Sequence, residues 1–93
     1  MRGVNGTKNN LYLKGLELAR QEHYDEAVKA LKASLTSNFH DPEIHYGLGL
    51  VYLLSGDRNA AAREYEIISS LDPGLAQNFA KYINTVGQLS LEV

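Results

Sequence analysis

At 93 residues, 44% of them hydrophobic and 22% charged, the chain has the length of one small domain and the composition of a folded one. Its 9 lysines and arginines against 11 aspartates and glutamates give a formal charge of −2, which leaves no basic footprint for nucleic acid. With no cysteine there is no disulfide, no thiolate nucleophile and no Cys-ligated zinc, so packing has to hold the fold.

The opening MRGVNGTKNN is polar and lacks an apolar core of signal-peptide length, and residues 1–7 are expected to be disordered. A first helical segment, from Asn9 to Gln21, carries Leu11, Gly15 and Leu18 on one face and Tyr12, Leu16 and Ala19 on a neighbouring one. The second, from Tyr24 to Ser37, carries Ala27, Leu31, Ser34 and Leu35. The third, Pro42 to Ser55, is entered through Asp41-Pro42, a capping side chain followed by a residue suited to the first helical position, and Gly56 ends it. It holds the longest apolar stretch, Leu48 to Leu54, which is far short of the roughly 20 residues of a membrane span. The fourth, Arg58 to Ser70, follows Asp57 as its cap and aligns Ala61, Tyr65 and Ile68. Asp72-Pro73 opens the fifth, which is expected to run to Thr85 or Val86, with Phe79, Tyr82, Ile83 and Val86 apolar and Gly87 as its stop. No segment alternates with a period of two, and the connections are only a few residues long. The expectation is an all-α chain of five helices in which successive helices are antiparallel neighbours, soluble and cytoplasmic, with neither membrane nor nucleic acid as partner.

Internal spacing carries more information than any single segment. Gly15 and Gly49 stand 34 residues apart, as do Ala27 and Ala61, Leu31 and Tyr65, and the series Leu11, His45, Phe79 and Leu18, Tyr52, Val86. The middle unit reads His45-x2-Leu48-Gly49-x2-Tyr52, then Ala61-x3-Tyr65, then Pro73. A helix-turn-helix unit of this period and pattern resembles the tetratricopeptide repeat. The first unit departs from it at Lys14 and at Phe39, which stands where the closing proline falls. A third unit supplies one helix, with Ile83 in place of the glycine, and resembles the terminal capping helix of such arrays. The resemblance implies an α-solenoid divided into a first repeat over 8–41, a second over 42–75, a capping helix over 76–88 and a flexible tail over 89–93. Gly49 and Gly15 are then the points of close helix approach, with Ala61 and Ala27 as the small partners across each gap. Gly47 has no glycine counterpart, since Leu13 occupies its place in the first unit, and is either tolerated or leaves room on the concave side.

Catalytic and cofactor chemistry finds no support in the residues. There is no Gly-rich phosphate loop and no nucleophile with a base, so the chain is expected to be neither an enzyme nor a cofactor carrier. His40 and His45 flank Asp41 without paired ligand spacing; His40 is expected in an exposed turn and His45 at the packing position that tryptophan takes in the repeat, and no metal site is expected. Asp25-Glu26 and Glu64 with Glu66 are read as helix-start and solvent-face carboxylates.

The resemblance implies instead a protein-interaction module whose first helices line a concave groove. Tyr12 and Tyr46 share one position of the register, off the face that meets their own partner helix, and are expected to be the contact anchors. Leu16, Ala19, Leu50, Leu53 and Leu54 join them, and Asn9, Glu43, Gln77, Lys81 and Asn84 form the rim. At the positions of the family's clamp for chaperone carboxyl termini stand Tyr12, Leu16, Gly47, Gln77 and Lys81, of which only Lys81 fits. The expected partner is therefore an apolar or amphipathic peptide or helix, with self-association through the groove or the repeat ends, giving a homo-oligomer, as the alternative; the tail from Leu89 to Val93 is a further occupant to consider.

Overall fold

Asp41, Asp57 and Asp72 set the start of three helices, each by the same device. In a computed structural model of the chain, their carboxylates accept from Glu43 N at 2.9 Å, Ala60 N at 3.1 Å and Leu75 N at 3.1 Å, which satisfies first-turn amides that have no partner inside the helix. The structure describes residues 2–36, 38 and 40–92, with side chains from Asn10 to Asn84 apart from Ser37 and Phe39. Along it run α1 (Arg2–Arg20), α2 (Tyr24–Leu35), α3 (Pro42–Ser55), α4 (Arg58–Leu71) and α5 (Pro73–Glu92). Five helices therefore stand in the order expected. The first and last extend beyond the expected limits, and α5 passes through Gly87, which does not act as a stop. The expected end of α2 at Ser37 and the turn position Phe39 lie outside the described residues.

The 34-residue period reappears in the backbone. Gly56, at φ 90°, takes the left-handed conformation that ends α3, and Asp57 N reaches back to Tyr52 O at 2.8 Å. One repeat earlier His23 N bonds Leu18 O at 2.8 Å, and the left-handed residue is Glu22, at φ 68°. A glutamate performs the turn that a glycine performs in the next unit, against the cost its Cβ imposes there.

α1 packs on α2 and α3 on α4 as hairpins; α2 then meets α3, and α4 meets α5. α3 touches both α1 and α5, whereas the backbones of α2 and α4 do not approach each other among the described residues. Closer approach among α1, α3 and α5 than between α2 and α4 makes the first helices the inner side of a curved stack. α3 sits at its centre and divides two cores. Ile44, Leu48 and Val51 pack with Ala27 and Leu31 in the first; Leu53 packs with Ala61, Ile68 and Phe79 in the second. Ser34 is buried among them, and its hydroxyl has no hydrogen-bond partner.

Gly49 is a point of close approach, and its nearest neighbour is one that the register did not name. A Cβ there would stand 2.4 Å from Phe79 Cζ, so the glycine makes the notch for an α5 ring, to which all three nearest atoms belong. At Gly15 a Cβ would stand 2.7 Å from Leu31 Cγ and 3.3 Å from the Ala27 carbonyl, so the pairing with α2 holds in the first unit. The difference follows from the third unit: the aromatic that opens it is long enough to reach into the second.

Candidate interaction groove

The inner side is built one side chain per helix turn. Tyr12 and Leu16, a turn apart on α1, are half-buried. They close over Gly47 of α3, where an added Cβ would lie 3.4 Å from Tyr12 Cε1, 3.6 Å from Leu16 Cδ2 and 3.7 Å from Leu31 Cδ2. These are ordinary contact distances, so Gly47 is tolerated rather than required. On α3, Leu50 is half-buried and Leu54 is 61% exposed, the most open aliphatic side chain of the groove set. Ala19 and Leu53 are each only 8% exposed and belong to the two cores. Glu43, Gln77 and Asn84 are exposed, while the Asn9 side chain and those from Leu89 to Val93 lie outside the described residues.

Tyr46 holds a position that periodicity did not reveal. Its ring meets Phe79 edge to face at 5.7 Å and lies 6.4 Å from the tilted ring of Tyr82, so it is as much a packing residue as a surface one. Its phenol is pushed above the usual tyrosine range, first by burial and then by the neighbouring and hydrogen-bonding phenol of Tyr82, with a smaller effect of Tyr12. Tyr46, Asn78, Lys81 and Tyr82 enclose a cleft of about 370 Å³ between α3 and α5. The sequence pointed to Lys81 here and missed Asn78 and Tyr82. Tyr82 occupies the register position of Leu48, which is buried in the middle unit, and that equivalence concealed its exposure of 52%.

His45 is buried, as expected for the tryptophan-like position, but it is not simply apolar filling. Its Nδ1 lies 2.7 Å from Glu64 Oε1, and the two side chains are only 9% and 12% exposed. Glu64 is thus a partner inside the α3–α4 hairpin, contrary to the solvent-face role read for it, while Glu66 is exposed. The signal was available in the register, since a histidine at an aromatic packing position asks for a polar partner on the facing helix. No three His, Cys, Asp or Glu side chains converge as metal ligands among the described residues. No helix of the described chain is long and apolar enough to cross a membrane.

Paired helices stacked with their first members inward define an α-helical repeat array. Residues 9–41 match the family model described as tetratricopeptide repeat, and the same helix-turn-helix unit recurs over α3 and α4. The match over this part of the chain and the five-helix repeat architecture support a tetratricopeptide repeat assignment. Repeats of this family are in general protein-interaction modules and are typically non-catalytic. No curated protein and no solved structure matches the chain.

Proposed function

We propose that the chain binds an apolar or amphipathic helical segment of another protein along α1 and α3, with residues 8–41 and 42–75 as two repeats and residues 76–88 as the cap. The observation that carries this reading is Leu54: an aliphatic side chain left 61% exposed on the same helix as the half-buried Tyr46 and Leu50, beside Tyr12 and Leu16 of α1. In this reading these uncharged side chains form the apolar centre and the exposed Glu43, Gln77 and Asn84 the polar rim that interaction surfaces have. Tyr12 and Tyr46 contribute rigid aromatic area, the kind that dominates binding when enclosed.

An amide-shift titration with an amphipathic helical peptide tests the proposal. Shifts are expected along α1 and α3, and Leu54→Asp should abolish them without unfolding the chain, because Leu54 is not part of either core. Tyr46→Ala is a poor probe, since it also removes the contact with Phe79. Shifts confined to α2 and α4, or an unchanged affinity in Leu54→Asp, would overturn the reading. Self-association through the same face competes with it, favoured by Leu54 and by Leu13, which is 59% exposed. Sedimentation over a concentration series separates the two, because only self-association gives a mass that rises with concentration.

A further inference from the structure

A cleft of about 520 Å³ opens between α2 and α4, closed by Tyr52 and Ser55 of α3 and by the turn at Asp57. None of the groove residues lines it, so it is a separate surface. Its volume falls in the range of about 300–1,000 Å³ that binding sites for small groups occupy. Tyr24 and Val28, a turn apart on α2, and Tyr52 are half-buried and pack against the first core, which makes them a fixed apolar wall.

Lys29, Lys32 and Arg63 stand exposed around that wall. Lys29 and Arg63 are 34 residues apart, so the repeat itself sets one cation on α2 and another at the same position of α4. Lys32 follows Lys29 one turn later on α2. Asp25 and Asp57 also line the cleft, but each is answered within its own helix. Asp25 lies in the first turn of α2, where a negative charge meets unpaired amides, and Asp57 accepts from Ala60 N at 3.1 Å as the cap of α4. Among the described residues no carboxylate forms an ion pair with Lys29, Lys32 or Arg63. On a chain of formal charge −2, the cleft is a local excess of positive charge beside an apolar wall.

We propose that this cleft docks an acidic segment of another protein that carries an aromatic residue, with the ring against Tyr24, Val28 and Tyr52 and the flanking carboxylates on Lys29, Lys32 and Arg63. An aromatic side chain suits the wall, because ring pairs add to the gain from the area they bury. Carboxylates suit the cations, and Arg63 offers the planar fork that takes one bidentately. Nucleic acid is the poorer match, since a run of phosphates would have to pass Asp25 and Asp57 on a chain of net negative charge. The proposal does not depend on the groove reading.

The probe is an acetylated, amidated peptide with one phenylalanine between acidic residues, titrated into the full chain and followed by amide shifts. Control peptides replace every Asp and Glu by Asn and Gln, or the phenylalanine by alanine. Shifts are expected on α2, on α4 and around Tyr52. The acidic peptide should bind about tenfold tighter than its amide twin at low salt, the product of three exposed contacts of about twofold each, and the gap should close as salt rises. Lys29→Gln and Arg63→Gln should each weaken the acidic peptide about twofold and leave the amide twin unchanged, and the triple variant with Lys32→Gln should bind both alike. The alanine peptide should bind more weakly than the phenylalanine one. Leu54→Asp, which alters the groove, should change none of this. Equal affinity for the acidic peptide and its amide twin, an acidic preference that survives the triple variant, shifts along α1 and α3 instead, or no binding at all would each overturn the proposal and leave the groove reading standing. A single-stranded oligonucleotide that displaces the acidic peptide at equal concentration would also overturn it, by assigning the cleft to phosphates.

Discussion

Replacing Gly49 by alanine should destabilise the chain, and replacing Gly47 should not, although the two stand one residue apart on α3. The added Cβ at Gly49 would lie 2.4, 2.9 and 3.0 Å from Phe79 Cζ, Cε2 and Cε1. Carbon atoms in contact prefer about 3.5–4.0 Å, so the ring has to retreat by about 1 Å. It has little freedom to do so. Phe79 is fully buried, with Tyr46 at 5.7 Å and Tyr65 at 6.4 Å, and moving it disturbs both ring contacts. Overpacking costs about 1–3 kcal/mol, and a clash this short on a fully buried ring belongs to the upper half of that range, about 2–3; the better helix propensity of alanine returns about 0.5–1, for a net loss of about 1–2.5 kcal/mol. In a domain of this size that lowers the melting temperature by about 4–20 °C. At Gly47 the nearest atoms would be at 3.4–3.7 Å, so the propensity gain of about 0.5–1 kcal/mol is kept. Thermal melts followed by circular dichroism distinguish the two variants. A Gly49→Ala protein that melts with the wild type, or a Gly47→Ala protein that falls as far, would refute the helix approach described here.

Three further outcomes are expected. Glu22→Gly should raise stability by about 1 kcal/mol, because Glu22 sits at φ 68°; an unchanged urea midpoint would mean that the turn relaxes without strain. Glu64→Leu, which takes away the carboxylate that His45 Nδ1 meets at 2.7 Å, should cost about 1–3 kcal/mol, whereas His45→Phe with Glu64→Leu should recover most of that loss. Denaturant midpoints of the single and double variants decide it, and additive losses would show that the pair is not coupled. Stability should also decline in alkali: the raised Tyr46 pKa favours the neutral phenol in the fold, so its contribution is full below the ordinary tyrosine value of about 10 and is lost as pH rises through the folded value. Tyr46→Phe should flatten that decline, and an identical slope in both proteins would locate the alkaline transition elsewhere.

Helix positions were legible because their signals are local. Asp41, Asp57 and Asp72 carry their capping function in their own side chains, and Gly56 carries its backbone freedom in the absence of a Cβ. The end of α1 was less visible, since Glu22 adopts a left-handed conformation that nothing in its own chemistry favours; only the bond from His23 N to Leu18 O, matched 34 residues later, explains it. The nearest neighbour of Gly49 was missed for a related reason. Periodicity gives the position of a small residue but not which neighbour fills the space, and Ala61 and Phe79 both lie in the second core. Ala19 and Leu53 were placed in the groove by helical spacing, yet each is only 8% exposed and packs in a core, because spacing along a helix does not say how deep a side chain sits.

The cleft at α5 arises where the repeat runs out of neighbours. In the middle unit the leucine position of the motif is Leu48, covered by the first core on α2 and 1% exposed. In the third unit the same position is Tyr82, and among the described residues no helix packs on the far side of α5. Its ring is left 52% exposed beside Tyr46, and Asn78 and Lys81 share its face. Phe79 meanwhile fills the Gly49 notch and fixes how α5 meets α3, beside the cleft that those three side chains line with Tyr46. One motif position thus serves as core in the middle unit and as cleft wall in the last. Replacing Tyr82 by leucine, the residue of the middle unit, should consequently leave the melting temperature nearly unchanged, and a fall as large as that of Gly49→Ala would show that its ring is part of the core.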